Sequence, residues 1–390
     1  MSEIVKLKDI GTIITGRTPK TKISNFWDSN DVPFVKPSDF KQSINNLDSY
    51  NTYLSNDGFS NANKIPKNSV LVTCIGTIGK VAINDIEVAT NQQINSIIPN
   101  ENIDAKYLMY QISTKKQYLN HIANAPIVPI INKTTFSNID IFVPSLTKQK
   151  QIAKTLDKAQ ELIELRKESI EKLDALAKSI FIDIFGNPVS NPMKWKAINF
   201  KSILNTIDGG WSPVCNNYPR NNNNYGILKL SALSNDIYHS SENKKMLDNT
   251  QPKMNTLVSD GDLLFSRKNT YMLVGSCAYV WNTEDNLFMP DLIFRLNTNN
   301  KVNKVFLWKY LTNDEVKIQL RNIANGAAAS MPNISKAKLL NFRILLPPMI
   351  KQESFAQKIQ KIEQQKSFYQ EELTKLQENF DALLAQSFKG

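Results

Sequence analysis

Residues 143–156 read VPSLTKQKQIAKTL, and residues 346–359 read LPPMIKQESFAQKI. The second segment repeats the first without a gap, at a constant offset of 203 residues (351 − 148 = 203). Four residue pairs are identical: Pro144/Pro347, Lys148/Lys351, Gln149/Gln352 and Ala153/Ala356. Because an internal repeat decides the architecture of a chain, this one predicts two tandem halves.

Each repeated segment predicts the start of a long helix, because proline is tolerated only at or before the first helical turn. Beyond the prolines, apolar positions recur in steps of four and three over about four heptads, which is the spacing of a coiled-coil seam. The first series is Ile152, Leu156, Ala159, Ile163, Ile170, Leu173, Ala177 and Ile180, and the second is Phe355, Ile359, Ile362, Tyr369, Leu373, Leu376, Phe380 and Leu383. For both seams to be buried, the second helix must lie back along the first, so we predict an antiparallel pair.

One cation interrupts each series, Arg166 in the first and Lys366 in the second. A charged residue at a seam position either extends its head group into water or fixes the register of the two helices. We favour the register role as a hypothesis. Replacement of Arg166 by Leu should then raise thermal stability or permit misassembly.

A block of mixed, mostly strand-like sequence precedes each helix. Residues 70–73 and 80–83 predict a hairpin, and residues 104–119 and 304–320 predict shorter amphipathic helices. The predicted fold class is α+β: two globular domains joined by two long antiparallel coiled-coil helices, with a pseudo-two-fold internal repeat. The predicted divisions are 1–145 for the first domain, 146–186 for the first helix, 187–349 for the second domain and 350–390 for the second helix.

The composition favours a polyanionic partner. The 390 residues include 47 Lys and Arg against 36 Asp and Glu, a formal net charge of +11 at pH 7. Such an excess suits nucleic acid, although a bias toward Lys and Asn without any such partner would give the same count. No apolar run approaches the roughly 18–20 residues of a membrane span, and no secretory signal opens the sequence. The three scattered cysteines form no CxxC pair, which predicts a reducing, cytoplasmic setting without a zinc site.

Signatures of catalysis are missing from the sequence. Residues 76–81, GTIGKV, resemble a phosphate-binding loop but contain GxxGK in place of GxxxxGK[ST], so a turn between strands is favoured. No GxGxxG follows a strand, no Asn-Pro-Pro-aromatic run occurs, and His121 and His239 lie in no metal-ligand or triad spacing. We therefore expect a protein without an active site of its own. Two diverged halves on a fixed spacer suggest a reader of two different DNA half-sites.

The chain resembles the specificity subunits of type I restriction–modification enzymes over essentially its whole length. The resemblance rests on the tandem halves, the Gly-x-Thr/Ser-Pro turns at 16–19 and 210–213, the Thr-Asn-Gln-Gln run at 90–93, and the two helix openings. It implies two target-recognition domains that each read one part of a split DNA sequence. It also implies two methyltransferase subunits that use S-adenosylmethionine, and restriction subunits that use ATP and magnesium. Those cofactors would belong to the partner subunits, and none to this chain.

Candidate DNA contacts follow from the chemistry of groove recognition, in which Arg and Lys suit guanine, Asn and Gln suit adenine, and cations and hydroxyls hold phosphates. In the first domain the candidates are Arg17, Lys20, Lys36, Ser38, Gln92 and Gln93, and in the second they are Arg220, Lys229, Arg267 and Lys268. The two glutamines could equally satisfy strand ends or turns, and residues 218–225, YPRNNNNY, could equally form an Asn-rich surface loop. Near the helix ends, the candidate partner-binding residues are Phe181, Phe185 and Phe388, with packing against the adjacent domain as the alternative.

Three other interpretations remain open at this point. A coiled-coil adaptor with incidental basic charge would show no salt-dependent DNA binding. An enzyme with a degenerate motif would be active without any partner. A standalone sequence-specific DNA-binding regulator would bind no methyltransferase subunit.

Overall fold

The computed structural model describes residues 3–123, 128–221, 223–325 and 331–388. The chain divides into two compact units: unit 1 is Met1–Glu168 with Gln370–Gly390, and unit 2 is Ser169–Tyr369. Each unit therefore combines one strand-rich region with a segment of each long helix. Residues 389 and 390, the end of the second predicted helix, lie outside the described residues. Within the described ranges, no helix is long and apolar enough to cross a bilayer.

Unit 1 contains eleven described strands and the first five α-helices. The strands are β1 (Glu3–Lys6), β2 (Gly11–Thr15), β3 (Val32–Val35), β4 (Ile44–Leu47), β5 (Tyr53–Leu54), β6 (Lys64–Ile65), β7 (Val70–Thr73), β8 (Val81–Asn84), β9 (Val88–Thr90), β10 (Ile94–Pro99) and β11 (Asp140–Val143). The helices are α1 (Asn56–Ser60), α2 (Ala105–Thr114), α3 (Lys116–Ile122), α4 (Lys133–Ser137) and α5 (Leu146–Phe185), and α5 continues into unit 2. Short 3-10 turns occupy Leu7–Asp9, Ser24–Phe26 and Pro37–Asp39.

The central sheet of unit 1 has the strand order β2-β10-β7-β8-β4. Among the first four of these strands each is antiparallel to its neighbour, and Asn95 of β10 lies opposite both Thr15 of β2 and Val72 of β7. A second sheet, β5-β3-β9-β6, contains the parallel pair β3 and β9, in which Val35 lies opposite Thr90. Strands β1 and β11 form a separate antiparallel pair. The predicted hairpin is confirmed as β7 and β8.

Unit 2 contains the remaining described elements. The strands are β12 (Lys196–Asn199), β13 (Leu204–Gly209), β14 (Gly226–Leu228), β15 (Asn243–Lys245), β16 (Leu263–Ser266), β17 (Cys277–Tyr279), β18 (Leu287–Phe288), β19 (Ile293–Thr298) and β20 (Arg343–Leu346). The helices are α6 (Lys304–Leu311), α7 (Asp314–Asn322), α8 (Lys336–Leu340) and α9 (Met349–Ser387), and the end of α9 belongs to unit 1. Short 3-10 turns occupy Phe200–Ile203, Leu230–Asp236 and Met254–Thr256.

The topology of unit 2 repeats that of unit 1. Its main sheet, β13-β19-β16-β17, has the same order and antiparallel pairing as β2-β10-β7-β8. The parallel pair β14 and β18 corresponds to β3 and β9, and the pair β12 and β20 corresponds to β1 and β11. The predicted α+β class and internal repeat are therefore confirmed.

The two shorter predicted helices are each divided into two. Residues 104–119 fall in α2 and α3, and residues 304–320 fall in α6 and α7. In unit 2 the break lies at Asn313, whose side chain accepts hydrogen bonds from the backbone amides of Glu315 and Val316 and so caps a new helix. A capping side chain of this kind competes with continuation of the preceding helix.

The long helices pack antiparallel within each unit. In unit 1, Arg166 of α5 forms an ion pair with Glu372 of α9 at 3.2 Å. Tyr110 contacts both Asp157, which lies earlier in α5, and Phe380, which lies later in α9. As residue numbers fall along α5 they rise along α9, which is the antiparallel arrangement expected from the repeat.

Unit 2 shows the same arrangement with different side chains. Lys366 of α9 donates to Asp174 of α5 at 2.5 Å. Further along, the rings of Phe181 and Phe355 are 5.6 Å apart. Both cations that interrupt the seam, Arg166 and Lys366, are thus paired with carboxylates.

Candidate nucleic-acid interface

One edge of the main sheet in unit 1 brings two of the sequence motifs together. In a sheet of antiparallel neighbours, the end of β2, the start of β10 and the end of β7 share an edge. Gly16, just after β2, donates from its backbone amide to the carbonyl of Ile94 at 2.9 Å. A Cβ atom at Gly16 would lie 2.1 Å from the carbonyl oxygen of Asn91, closer than any side chain permits. Only glycine therefore allows the 16–19 turn to approach the 90–93 run.

A side-chain hydrogen bond completes this approach. The hydroxyl of Thr18 donates to Oε1 of Gln92 at 2.7 Å. The neighbouring Gln93 accepts at its Oε1 from Nδ2 of Asn91 at 2.9 Å. Both glutamines thus use a carbonyl oxygen to order the turn, as the structural alternative proposed, while Gln92 remains exposed at the surface.

The remaining candidates of unit 1 lie around the same edge. Lys36 follows β3, whose last residue, Val35, accepts a hydrogen bond from the backbone amide of Asn91 at 3.2 Å. The ammonium group of Lys36 donates to the hydroxyl of Thr52 at 3.1 Å. The other members, all exposed, are Arg17, Lys20 and Ser38. The turns that follow β2 and β3 therefore supply cations beside an exposed glutamine.

Unit 2 builds the same edge with different side chains. A Cβ atom at Gly210 would lie 2.1 Å from the carbonyl oxygen of Pro290, so this glycine also permits a close approach of two turns. The hydroxyl of Ser212 donates to a carboxylate oxygen of Asp291, as Thr18 does to Gln92 in unit 1. The two edges thus share one backbone arrangement and present different polar groups.

Arg267 and Lys268 also lie at this edge. The backbone amide of Arg267 donates to Leu292 O at 3.0 Å, and its guanidinium Nε donates to Asp291 O at 2.9 Å. The guanidinium group lies 5.3 Å from the ring centre of Phe294. Lys336, which the sequence did not single out, approaches the same ring at 5.5 Å. The sequence could not indicate this contact, because the cation and the phenylalanine ring are distant in sequence and meet only in the folded chain.

Lys229 follows β14 as Lys36 follows β3. Its ammonium group lies 3.5 Å from Glu242, which also accepts a hydrogen bond from the hydroxyl of Ser231 at 2.5 Å. The Ser231 hydrogen bond and the charge of Lys229 hold the pKa of Glu242 below its usual value. Lys229 is thus partly neutralised in the free protein.

Arg220 is not part of this exposed edge. Its side chain is 2% exposed and pairs with Glu284 at 2.8 Å, and its guanidinium group also donates to the carbonyl of Asn221. The side chain therefore braces its own segment, which corrects the expectation that it is free to contact DNA. Asn222, within the same predicted loop, lies outside the described residues.

The helix-end phenylalanines are core residues. Phe181 and Phe185 are 4% and 3% exposed and belong to the main core of unit 2, where both rings contact Phe355. This burial corrects the expectation of a partner-binding surface at these two positions. Phe388 is half-buried against Tyr107 of unit 1, with ring centres 5.3 Å apart.

Two features of the edges bear on metal binding and on thiol chemistry. Among the residues that the structure describes, no group of three or more His, Cys, Asp or Glu residues is placed there to hold a metal ion. Cys74 lies at the edge of unit 1, but burial raises the pKa of its thiol to about 12, against the opposing effect of hydrogen bonding with Asn95. A thiol with such a pKa is inert as a nucleophile at neutral pH.

Comparison with known proteins identifies one family. The family model described as "Type I restriction modification DNA specificity domain" matches residues 2–175 and, a second time, residues 192–378. The chain is 31% identical over 195 residues to the type I restriction enzyme MjaIX specificity subunit of Methanocaldococcus jannaschii, covering 47% of this chain and 43% of that protein. It is 33% identical over 147 residues to the HindI specificity subunit of Haemophilus influenzae, covering 37% and 32%. These two alignments span less than half the length of either relative.

Two solved structures share the fold over the full length of the chain. The type I restriction–modification S subunit of M. genitalium superposes with a TM-score of 0.62 at 14% identity, covering 100% of this chain and 96% of that one. A chain from a study of complex assembly and conformational transition in a type I system gives a TM-score of 0.57 at 17% identity, covering 100% and 98%.

Proposed function

The chain belongs to the type I restriction–modification DNA specificity family, and on this basis we propose that it is the specificity subunit of a type I restriction–modification enzyme. In this role it binds double-stranded DNA and selects the sequence without catalysing a reaction. Each strand-rich domain reads one half of a bipartite target. The two long helices set the spacing between the halves and bind the methyltransferase subunits.

The observation that carries this proposal is the polar edge that occurs once in each unit. The same backbone arrangement holds the pair Thr18 and Gln92 in unit 1 and the pair Ser212 and Asp291 in unit 2. A shared scaffold with different exposed groups suits the reading of two different half-sites.

Exposed apolar side chains on the long helices support the binding of partner subunits. In unit 1, Leu162 and Leu165 of α5 are 52% and 51% exposed, and in unit 2, Leu176 of α5 and Phe368 of α9 are 46% and 55% exposed. Leu162 and Leu165 lie one helical turn apart on the same side of α5, and adjacent exposed apolar side chains of this kind are typical of a protein interface. We propose that two methyltransferase subunits bind there and that restriction subunits join the complex. S-adenosylmethionine, ATP and magnesium would then bind to those partners, in the cytoplasm, and no cofactor to this chain.

The test is to co-express this chain with the adenine methyltransferase encoded beside it and to map modified bases by long-read sequencing. Modification confined to one split motif with a fixed gap is the expected result, and it would supply both half-sites. Omission of this chain is the control, and it should abolish modification.

Other outcomes distinguish the remaining interpretations. If the two proteins co-purify but no base is modified, the role in methylation is wrong. If they do not co-purify and DNA binding persists, a standalone regulator is the better interpretation. If DNA binding is also absent at low salt, an adaptor with incidental charge is the better interpretation.

A further inference from the structure

The connection between β16 and β17 in unit 2 is longer than its counterpart in unit 1. Residues 267–276 join these two strands, whereas residues 74–80 join β7 and β8. Both connections leave the sheet edge that carries the candidate DNA contacts. Arg267 donates from its backbone amide to the carbonyl of Leu292, and Cys74 makes the equivalent bond to Gln93.

The longer connection exposes apolar side chains at its tip. Tyr271 is 47% exposed and Met272 is 64% exposed. Met331, 43% exposed, lies close by, because its neighbour Pro332 accepts a hydrogen bond from the backbone of Asn269. In unit 1 the shorter connection contains two isoleucines, of which Ile78 is only 3% exposed and Ile75 is half-buried. Unit 2 thus exposes apolar side chains within the turn itself. Around the described residues of the unit 1 turn, the exposed apolar side chains are instead on the adjoining segment, at Val128 (44% exposed) and at Ile130 (39% exposed), which pairs with Ile75.

Contacts within the connection and contacts from a neighbouring helix both stabilise the backbone of the tip. Val274 is fully buried, and its backbone amide donates to the carbonyl of Thr270 at 2.9 Å. From helix α7, the guanidinium group of Arg321 donates to the carbonyl of Met272 at 2.7 Å and lies 6.0 Å from the ring of Tyr271. These contacts fix the backbone at Met272, while its side chain stays 64% exposed instead of being buried against the protein. An exposed apolar side chain on a hydrogen-bonded backbone is suited to insertion into a partner.

We propose that Met272, supported by Tyr271, is a wedge that inserts between stacked base pairs of the half-site read by unit 2. This inference rests on the proposed function, because it requires the edge to face DNA. Apolar wedges of this kind part adjacent base pairs and kink the duplex by about 20–90°. Arg267 and Lys268, at the base of the same connection, supply positive charge for the phosphates that flank the kink.

The wedge has a consequence for sequence preference. Pyrimidine–purine steps unstack most easily, so a protein that parts a step prefers them even without a hydrogen bond to either base. The half-site of unit 2 should therefore include such a step. The half-site of unit 1 should be read by polar contacts without unstacking.

The experiment uses the full chain in complex with its methyltransferase and a duplex carrying the motif obtained from the modification map. Permanganate reactivity reports unstacked thymines, and fluorescence anisotropy reports affinity. The variant is Met272→Ala. The matched control is Met193→Ala, because Met193 is 47% exposed in unit 2 but lies beside the end of α5 and not at the sheet edge.

Thymines opposite the adenines that the methyltransferase flips out of the duplex will be reactive in any case; in addition, wild-type complex should render one further thymine reactive, at the unstacked step of the half-site read by unit 2. Met272→Ala should abolish that reactivity and lower affinity at least about tenfold, as expected for loss of an inserted side chain, with an unchanged salt dependence because phosphate contacts persist. Met193→Ala should behave as wild type. Thermal unfolding of both variants should match wild type, because both side chains are largely exposed.

Equal affinity and equal reactivity for the two variants would overturn the wedge and leave the proposed function intact. If Met272→Ala instead releases the methyltransferase while the further thymine stays reactive, the tip is a protein-binding surface and the wedge is wrong. If the modification map yields no motif, the proposed function fails and the wedge fails with it.

Discussion

Gln149 fastens the start of α5 to the start of α2: its Oε1 accepts a hydrogen bond of 2.9 Å from the backbone amide of Asp104, the residue that caps α2. Its Nε2 donates to the carbonyls of Pro144 and Asn102, and the side chain is fully buried. In unit 2, Gln352 accepts the same bond from Asn303 at 2.9 Å. The identical glutamines of the repeat therefore have a structural role: the hydrogen bonds of each one link a long helix to its domain.

Replacement of Gln149 by Ala should destabilise the protein by about 2–3 kcal/mol, because it leaves a buried donor and buried acceptors without partners. The control is Gln151→Ala, an exposed position two residues further along the same helix, which should change stability by less than about 0.5 kcal/mol. Urea unfolding of both variants measures the difference. Equal midpoints would show that the buried hydrogen bonds contribute little.

Replacement of Gly210 by Ala should disrupt the sheet edge of unit 2. The added Cβ would lie 2.1 Å from the carbonyl oxygen of Pro290, so the two turns must separate, at a cost of about 1–3 kcal/mol. At the adjacent Gly209 a Cβ meets nothing within 4 Å, so Gly209→Ala is a matched control. Binding of the mapped DNA motif should weaken only for Gly210→Ala. Equal DNA affinity for the two variants would place the DNA elsewhere on unit 2.

Two arginines should respond differently to replacement by Ala. Arg17 is exposed, so Arg17→Ala should leave thermal stability unchanged and reduce the slope of log affinity against log salt by about 1 if it contacts a phosphate. Arg220 is buried and paired with Glu284, so Arg220→Ala should lower stability by about 1–3 kcal/mol and leave the slope unchanged. Salt titrations and thermal melts on the two variants separate these roles. A reduced slope for Arg220→Ala would contradict the assignment of Arg220 as a brace.

Glu363 pairs with two lysines, the partly buried Lys309 at 3.0 Å and the buried Lys366 at 3.5 Å. Glu363→Gln should destabilise the protein by about 1–3 kcal/mol at neutral pH, because it removes the charge partner of the partly buried Lys309, whereas Lys366 keeps Asp174. Replacement of the exposed Glu353 by Gln should have little effect. Thermal unfolding compares the two variants.

The loss of stability caused by Glu363→Gln should depend on pH, and the direction can be derived. Burial lowers the pKa of Lys309, and the charge of Glu363 opposes that shift. A lysine whose folded pKa lies below its unfolded pKa destabilises the fold while protonated, and the loss is recovered as pH rises through the folded value. Removal of the Glu363 charge lowers the pKa of Lys309 further. The difference in unfolding free energy between wild type and Glu363→Gln should therefore become smaller as pH rises from neutral to alkaline. A difference that grows over this range would contradict this account.

The fold could be predicted from the sequence because a repeat and a heptad spacing are local patterns with architectural consequences. The paired motifs at 16–19 and 90–93 were also visible, since glycine and hydroxyl residues mark tight turns. Burial could not be predicted for Phe181 or Arg220, because residue type alone does not say whether a helix end or a loop faces its own domain. Met272 carried no signal at all: an exposed methionine becomes noticeable only when the contacts that fix its backbone are known.

The division of unit 1 between the two ends of the chain governs the order in which the protein can fold. Residues up to 168 emerge from the ribosome early, but the helix segment that covers Ile152 and Leu156 begins only at Gln370. At about 5–20 residues per second, roughly 10–40 seconds of translation separate the two. Unit 2, which is continuous in sequence, can be completed first, although unit 1 begins the chain. Through that interval the nascent polypeptide carries an uncovered apolar helix face, which makes it a natural client for chaperones that act during translation.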